Sequence, residues 1–272
     1  SYPAYSDSIP TGYDGYSSDP TRMPSHAAYE SAVKIVDLLL ANYYEQHEKW
    51  PELTSLILWG TEISRTEGIG VAEFLYFLGY KPTWISDSND KVTGIEKIPL
   101  KNLTVTLSNG SVVNRPRIDV FASIVTSNKD WITWMLMAVN GAAFAEGENA
   151  TNNYVIKHYA ENPSLDRLFG LPGNILEGTG MSNLIPSTSD WNISTVNSMA
   201  ADVYLNKVSY SWTLDENGNI VSKKERKNFE YLLDNVDLIT QNFDSTWRLF
   251  DSYDYYDWFG GLLNAAKVLK KK

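Results

Sequence analysis

Ser55-Leu56-Ile57-Leu58-Trp59, the glycine-marked stretch Gly60 to Gly70, and Val71-Ala72-Glu73-Phe74-Leu75-Tyr76-Phe77-Leu78 closed by Gly79 together decide the fold class. The first run is apolar without alternation and is bounded by Pro51 and Gly60. That pattern predicts a short strand buried on both faces, as in a parallel sheet. The stretch with Gly60, Gly68 and Gly70 predicts a loop, and Val71 to Leu78 predicts an apolar helix that stops at Gly79, a residue suited to a C-cap. Strand, loop and helix in this order form the repeating unit of an α/β layer.

The same reading extends outward in both directions. Lys81-Pro82-Thr83-Trp84 predicts the next strand, and Ile118 to Val125 predicts another buried one. Trp131 to Phe144 predicts a helix that is apolar nearly all round. Upstream, Ser25 is placed to cap a helix whose apolar positions Ala28, Ala32, Val36, Leu39, Leu40 and Tyr43 follow helical spacing. Val105 and Leu107 before Asn109-Gly110, with Val112 after it, predict a hairpin. In the second half, helices are expected over 152–160, 198–204, 225–233 and 255–269, a Gly/Pro loop over 170–180, a hairpin about Asn217-Gly218, and a strand over 238–241. The fold class is α/β, with a Rossmann-like parallel sheet layer in the first half and a mixed α+β second half. The expected organisation is an extended, turn-rich arm over 1–24, a Rossmann-like domain over 25–150 and a mixed α+β domain packed on it over 151–272.

Composition narrows the function classes. Hydrophobic residues make up 43% of the 272, which supports a sizeable core. The 9 Trp and 17 Tyr suit cores, interfaces or a flat conjugated ligand. A net charge of -10 argues against nucleic acid or an anionic membrane surface as the main partner. The absence of cysteine excludes disulfides, thiolate catalysis, Cys-type zinc sites and iron–sulfur clusters. No apolar run approaches the ~18 residues needed to span a bilayer. The expected compartment is the cytoplasm. Four Asn-x-Ser/Thr triplets, at Asn102, Asn109, Asn149 and Asn192, keep an exported location open.

Several segments together carry a family resemblance. Pro10-Thr11-Gly12, Asp19-Pro20 and Met23-Pro24 lead into Leu58-Trp59-Gly60-Thr61-Glu62, Arg65-Thr66, Gly68, Gly70 and Ala72-Glu73. Arg115-Pro116-Arg117-Ile118-Asp119-Val120, Asn153-Tyr154-Val155 with Lys157-His158, and Phe169-Gly170 with Pro172-Gly173 follow. Ala201-Asp202-Val203-Tyr204-Leu205, Gln241-Asn242 with Asp244-Ser245, and Asp254-Tyr255-Tyr256 with Phe259-Gly260-Gly261 complete the series. In order and spacing over nearly the whole chain, these resemble the CobN / magnesium chelatase H-subunit family, whose subunits are far longer. The resemblance implies a C-terminal segment of the tetrapyrrole-binding large subunit of an ATP-dependent chelatase. Co²⁺ or Mg²⁺ would be the substrate metal, ATP would be used by partner AAA+ subunits, and no cofactor would be bound by this segment itself. The pattern departs after Val125, where the family carries Gly and then Phe-Arg-Asp and this chain reads Thr126-Ser127-Asn128-Lys129-Asp130. The family's upstream His- and Glu-bearing motif for metal insertion is absent, so the segment alone is expected to be inactive. The alternative is a non-catalytic module derived from the family, one that holds a tetrapyrrole or other ligand or docks a partner.

Candidate site residues follow from both readings. Ligands of open α/β sheets bind at the carboxyl ends of strands, so Thr61, Arg65, Thr66, Gly68 and Gly70 are the expected substrate contacts. Arg65 is suited to bidentate pairing with a tetrapyrrole carboxylate. The plain alternative is that the glycines shape a turn and Glu62 pairs with Arg65. His158 and Glu62 are candidate bases for stripping pyrrole N–H protons, although a lone helical His is more often structural. Asp244, Asp251, Asp254 and Asp257 gather carboxylates near the end of the chain, and Asp251 and Asp254 are the candidates for a hard cation. Arg117 and Asp119 are expected to form a buried pair.

Overall fold

The computed structural model describes residues 19–85, 91–125, 128–173, 178–179, 193–242 and 255–271. Helix α1 (His26–His47) opens on Ser25, whose hydroxyl accepts a hydrogen bond from the Ala28 amide at 3.2 Å. This satisfies one of the orphan amides of a helix start. Strand β1 (Leu53–Leu58) is buried at every position, as the unalternating apolar run requires. The glycine-marked stretch is more ordered than the sequence reading expects. Gly60–Arg65 forms a short helix, α2, and α3 (Ile69–Phe77) begins almost at once after the left-handed turn at Gly68.

Strand β2 (Tyr80–Trp84) forms where expected but outside the main sheet, pairing antiparallel with β3 (Val92–Lys97). Pro82 lies in the middle of β2, and proline offers no N–H to a central ladder, which confines such a strand to an edge. The Asn109-Gly110 hairpin joins β4 (Thr104–Thr106) to β5 (Val112–Asn114). The place beside β1 goes to β6 (Asp119–Ile124), which is buried throughout. Helices α4 (Lys129–Ala143) and α5 (Tyr154–Glu161) follow, capped by the side chains of Asn128 and Asn153. Then come β7 (Leu168–Gly170), α6 (Ile193–Val208), β8 (Tyr210–Leu214), β9 (Ile220–Lys224), α7 (Arg226–Asn235) and β10 (Leu238–Gln241). A π-helical turn over Tyr255–Gly260 runs into α8 (Gly261–Leu269).

The six-stranded sheet has the order β10-β1-β6-β7-β8-β9. Its first four strands are mutually parallel and β8 and β9 are antiparallel additions. Strands from both halves of the chain therefore share one sheet. Side chains alternate across it. Leu56, Leu58, Val120, Ala122 and Ile124 pack with α1, α3 and α4, whereas Leu53, Ile57, Phe121 and Phe169 pack with α6, α7 and α8. At about 1.5–3 kcal/mol for each large side chain removed from water, these two cores dominate the stability.

The start of β6 is held by two arginines that serve the end of α3. Arg115 donates to the carbonyls of Tyr76 (2.6 Å) and Phe77 (3.2 Å), and Arg117 donates to those of Leu78 (3.1 Å) and Gly79 (2.9 Å). Carbonyls at a helix C-terminus lack helical partners and carry partial negative charge, which cations offset. The expected Arg117–Asp119 pair does not form. Arg117 meets Glu148 in a two-pronged contact of 2.8 and 2.9 Å, and Asp119 takes other partners. Strand neighbours point to opposite faces, but 117 and 119 diverge because Arg117 precedes the strand and turns toward α3.

Candidate functional site at the carboxyl edge

Adjacent parallel strands send the chain to opposite faces at two places. After β1 the chain enters α2 and α3 on one face, whereas after β10 it reaches α8 on the other. After β6 it enters α4 on the first face, and after β7 it reaches α6 on the second. Crevices for ligands in open α/β sheets lie outside the carboxyl ends of strands at such switch points. The residues collected at the β1/β10 switch point are Trp59, Thr61, Glu62, Thr66, Glu73 and Asn242.

Glu62 is 3% exposed and Glu73 is 1% exposed. The Thr66 hydroxyl donates to the Glu62 backbone carbonyl at 2.9 Å and lies 3.1 Å from Glu62 Oε1. Thr66 Oγ1 in turn accepts from the Ile69 amide at 3.2 Å, which ties α2 to the first turn of α3. Glu73 Oε2 accepts from Asn242 Nδ2 at 3.0 Å, so the residue just after β10 is clamped to α3. Glu73 Oε1 is buried and has no hydrogen-bond partner among the described residues. Burial pushes the Glu73 carboxyl up to about 8, the Asn242 hydrogen bond opposes the shift and the nearby Glu62 charge adds to it.

On the opposite face of the same edge, Trp59 meets Trp258 edge to face with ring centroids 6.1 Å apart. The Trp59 indole nitrogen is buried without a hydrogen-bond partner among the described residues. Asp257 is buried beside Gly178, where a β-carbon would come within 2.7 Å of Asp257 Oδ2. Tyr204 sits 3.4 Å from Ser123 Oγ, and burial with the Asp257 charge raises its phenol above the ordinary range.

The residues expected to make this site are distributed as follows. Thr61 and Arg65 are exposed on α2, Thr66 is half-buried, and Gly68 and Gly70 are buried. The glycines are small for protein contacts. A β-carbon on Gly68 would lie 2.9 Å from Pro24 Cα, and one on Gly70 would lie 2.8 Å from Leu58 Cδ2 and 3.3 Å from Glu62 Oε2. Gly68 also holds a φ of 99°, a region few side chains tolerate. Asp244, Asp251 and Asp254 fall outside the described residues. Among the described residues, no group of three or more His, Cys, Asp or Glu is placed to hold a metal.

His158 lies at the other end of the sheet, away from Thr61 and Arg65. Its Nδ1 is 2.8 Å from Oδ2 of Asp119, the first residue of β6, and Arg167 grips the same carboxylate at 3.0 Å through Nε and Nη2. All three side chains are buried. Burial alone would raise the Asp119 carboxyl, but the Arg167 charge and the His158 hydrogen bond outweigh it and hold the group below 3.8. A cleft of about 500 Å³ at this end is lined by Trp50, Lys101, Asn114, Pro116 and Tyr154 among others.

Glu73 and Asn242 both stand in the quoted motif segments but were not named as site residues. Glu73 carries a legible signal, being the single charged residue in Ile69–Phe77. Asn242 carries none, because its partner is 169 residues away.

The family described as CobN/Magnesium Chelatase matches residues 4–272. The aerobic cobaltochelatase subunit CobN of Sinorhizobium sp is 32% identical over 97% of this chain and 20% of its own length. The chloroplastic magnesium-chelatase subunit ChlH of Oryza sativa subsp. indica is 30% identical over 92% of this chain and 18% of its own. The solved catalytic subunit of cobaltochelatase from Mycobacterium tuberculosis superposes with a TM-score of 0.79 at 26% identity, over 93% of this chain and 21% of that one. The chain thus spans about a fifth of the length of the relatives it matches.

Proposed function

Because the chain belongs to the CobN/magnesium chelatase family, we propose that it forms part of the tetrapyrrole-binding large subunit of an ATP-dependent metal chelatase. The subunit inserts cobalt into a corrin precursor or magnesium into protoporphyrin, and partner AAA+ subunits hydrolyse the ATP. The observation that carries this reading is a family match spanning residues 4–272.

The chemistry of the carboxyl edge supports it. Thr61 and Arg65 are exposed beside the switch point, where a tetrapyrrole's peripheral carboxylates or amides find a guanidinium and a hydroxyl. Half-buried Trp59, at the end of β1, precedes them in the chain and adds part of an aromatic ring to the edge. Among the described residues no helix is long and apolar enough to cross a membrane.

The test titrates the full-length subunit containing this segment with protoporphyrin and with a corrin precursor, following the Soret band and tryptophan quenching. The expected result is saturable micromolar binding, weakened about tenfold or more by Arg65→Ala, as loss of one charged hydrogen-bonded pair implies. Adding ATPase partners, ATP and Co²⁺ or Mg²⁺ should yield the metallated product. Absence of binding by the wild-type subunit sinks the proposal. Binding without metallation identifies a holding module.

A further inference from the structure

We infer that Glu73 and Glu62 form a proton-handling pair at the carboxyl edge: they share one proton, and Glu62 passes protons released by the substrate to solvent through the Thr66 hydroxyl. The inference rests on the chelatase reading and assigns residues within that site.

Four observations lead to it. Both carboxyl groups are nearly fully buried. They come from successive helices of one corner, since Glu62 Oε2 lies 3.3 Å from where a β-carbon on Gly70 would stand, and Gly70 is one helical turn before Glu73 on α3. Residues three apart on a helix are surface neighbours, so Glu62 approaches the face of α3 that carries Glu73, close enough for its charge to act on that carboxyl. Glu73 Oε1 has no hydrogen-bond partner among the described residues, whereas Oε2 has only the Asn242 amide. An ionised carboxylate with an unpartnered oxygen in so dry a place is costly, and two like charges at short range cannot both persist. No cation among the described residues acts on Glu73, and Glu62 is the charged group that does. The pair therefore keeps one proton above the pH at which an ordinary exposed carboxyl group ionises.

The route outward is short. Glu62 Oε1 meets the half-buried Thr66 hydroxyl at 3.1 Å, and Thr61 beside it is exposed. Protoporphyrin loses two inner N–H protons when Mg²⁺ enters, and a corrin, which binds as a monoanion, loses one when Co²⁺ enters. Each N–H bond breaks with its electron pair left on nitrogen, which then binds the metal, and each proton needs an acceptor. Glu62 takes one proton at a time, and Glu73, fully enclosed, holds the shared proton that sets its basicity. Glu73 is thus a positioning residue, and Glu62 is the acceptor.

The experiment uses the full-length subunit with its ATPase partners, protoporphyrin or a corrin precursor, and the matching metal. Metal insertion is followed against pH for wild type, Glu73→Gln, Glu73→Asp and Asn242→Ala. Glu73→Gln is expected to lower kcat by about 100-fold, the scale of general acid–base assistance, with KM for the tetrapyrrole changed less than about twofold. Its pH profile should lose the ionisation seen in wild type, and Glu73→Asp should restore part of it. Asn242→Ala removes the donor to Glu73 Oε2 and should move that ionisation to higher pH without unfolding an element. Carbon-13 labelling of glutamate carboxyls reads the shared proton directly and needs no turnover. An active wild type whose profile and kcat survive Glu73→Gln unchanged, or spectra showing Glu62 and Glu73 titrating independently in the ordinary range, overturns the pair alone. A wild-type subunit that binds no tetrapyrrole overturns the chelatase reading and the acceptor role with it.

Discussion

Ionising Glu73 is harder in the folded chain than in the unfolded one, and stability should carry that signature. Its folded value of about 8 lies above the ordinary 4.5 because of burial, with Glu62 adding to the effect. Between those values the folded state binds more protons than the unfolded state, so stability falls as pH rises through the window. Glu73→Gln should remove this slope and be more stable than wild type at about pH 9 but not at about pH 5, read from urea midpoints. Asp119 has the reverse sign. Its carboxyl is held below 3.8, so its contribution is present above that value and is lost as pH falls through the lower folded one. Asp119→Asn strips Arg167 of its buried counter-charge and should cost about 3–5 kcal/mol by chemical denaturation. A loss under about 1 kcal/mol would show that the buried network contributes little. At this scale the sequence was informative about chemistry but not about partnership. Asp119 was paired with Arg117 by proximity along the chain, whereas its partners are 39 and 48 residues away.

Element by element, local chemistry predicted most of the structure. Ser25 caps α1, Asn109-Gly110 and Asn217-Gly218 turn their hairpins, and Gly79 ends α3 with a φ of 76°. Gly79 carries more than a turn. A β-carbon there would lie 2.2 Å from Arg117 Nη1 and 2.8 Å from Leu103 Cδ1, whereas one on Gly110, at a φ of 81°, would meet nothing within 4 Å. Gly110→Ala should therefore cost only the left-handed backbone term of about 1–2 kcal/mol. Gly79→Ala should cost clearly more, because Arg117 must leave the α3 carbonyls. Parallel urea titrations check this, and equal losses would refute the crowding argument. The element the sequence misplaced was β2. Its strand propensity was read correctly, but Pro82 keeps it out of the central sheet, and its pairing with β3 depends on the chain beyond.

For the molecule as a whole, β1 is the pivot. Its neighbours are β6 from the first half and β10 from the far end of the chain. One of its faces is covered by α1 and α3 and the other by α6, α7 and α8. A fragment ending at residue 150 would expose the second face and lack β7 to β10. Expressed alone, it should show no cooperative urea transition and no near-ultraviolet dichroism. A sharp transition in that fragment would establish that the first half folds independently of the second. Contact across such sequence distances is also what assembles the candidate site, since Asn242 reaches Glu73 only when β10 lies beside β1.

The residue pattern alone determined the α/β class, the buried strands, the caps and turns and the family likeness. Each of those depends on periodicity, turn chemistry or motif order within a few neighbouring residues. Only the tertiary structure decided that one sheet unites both halves, that His158 and the Thr61–Gly70 segment lie at opposite edges, and that Glu62, Glu73 and Asn242 meet. Burial and charge pairing depend on what the folded chain brings alongside, and a carboxylate's environment is not written in its own neighbours.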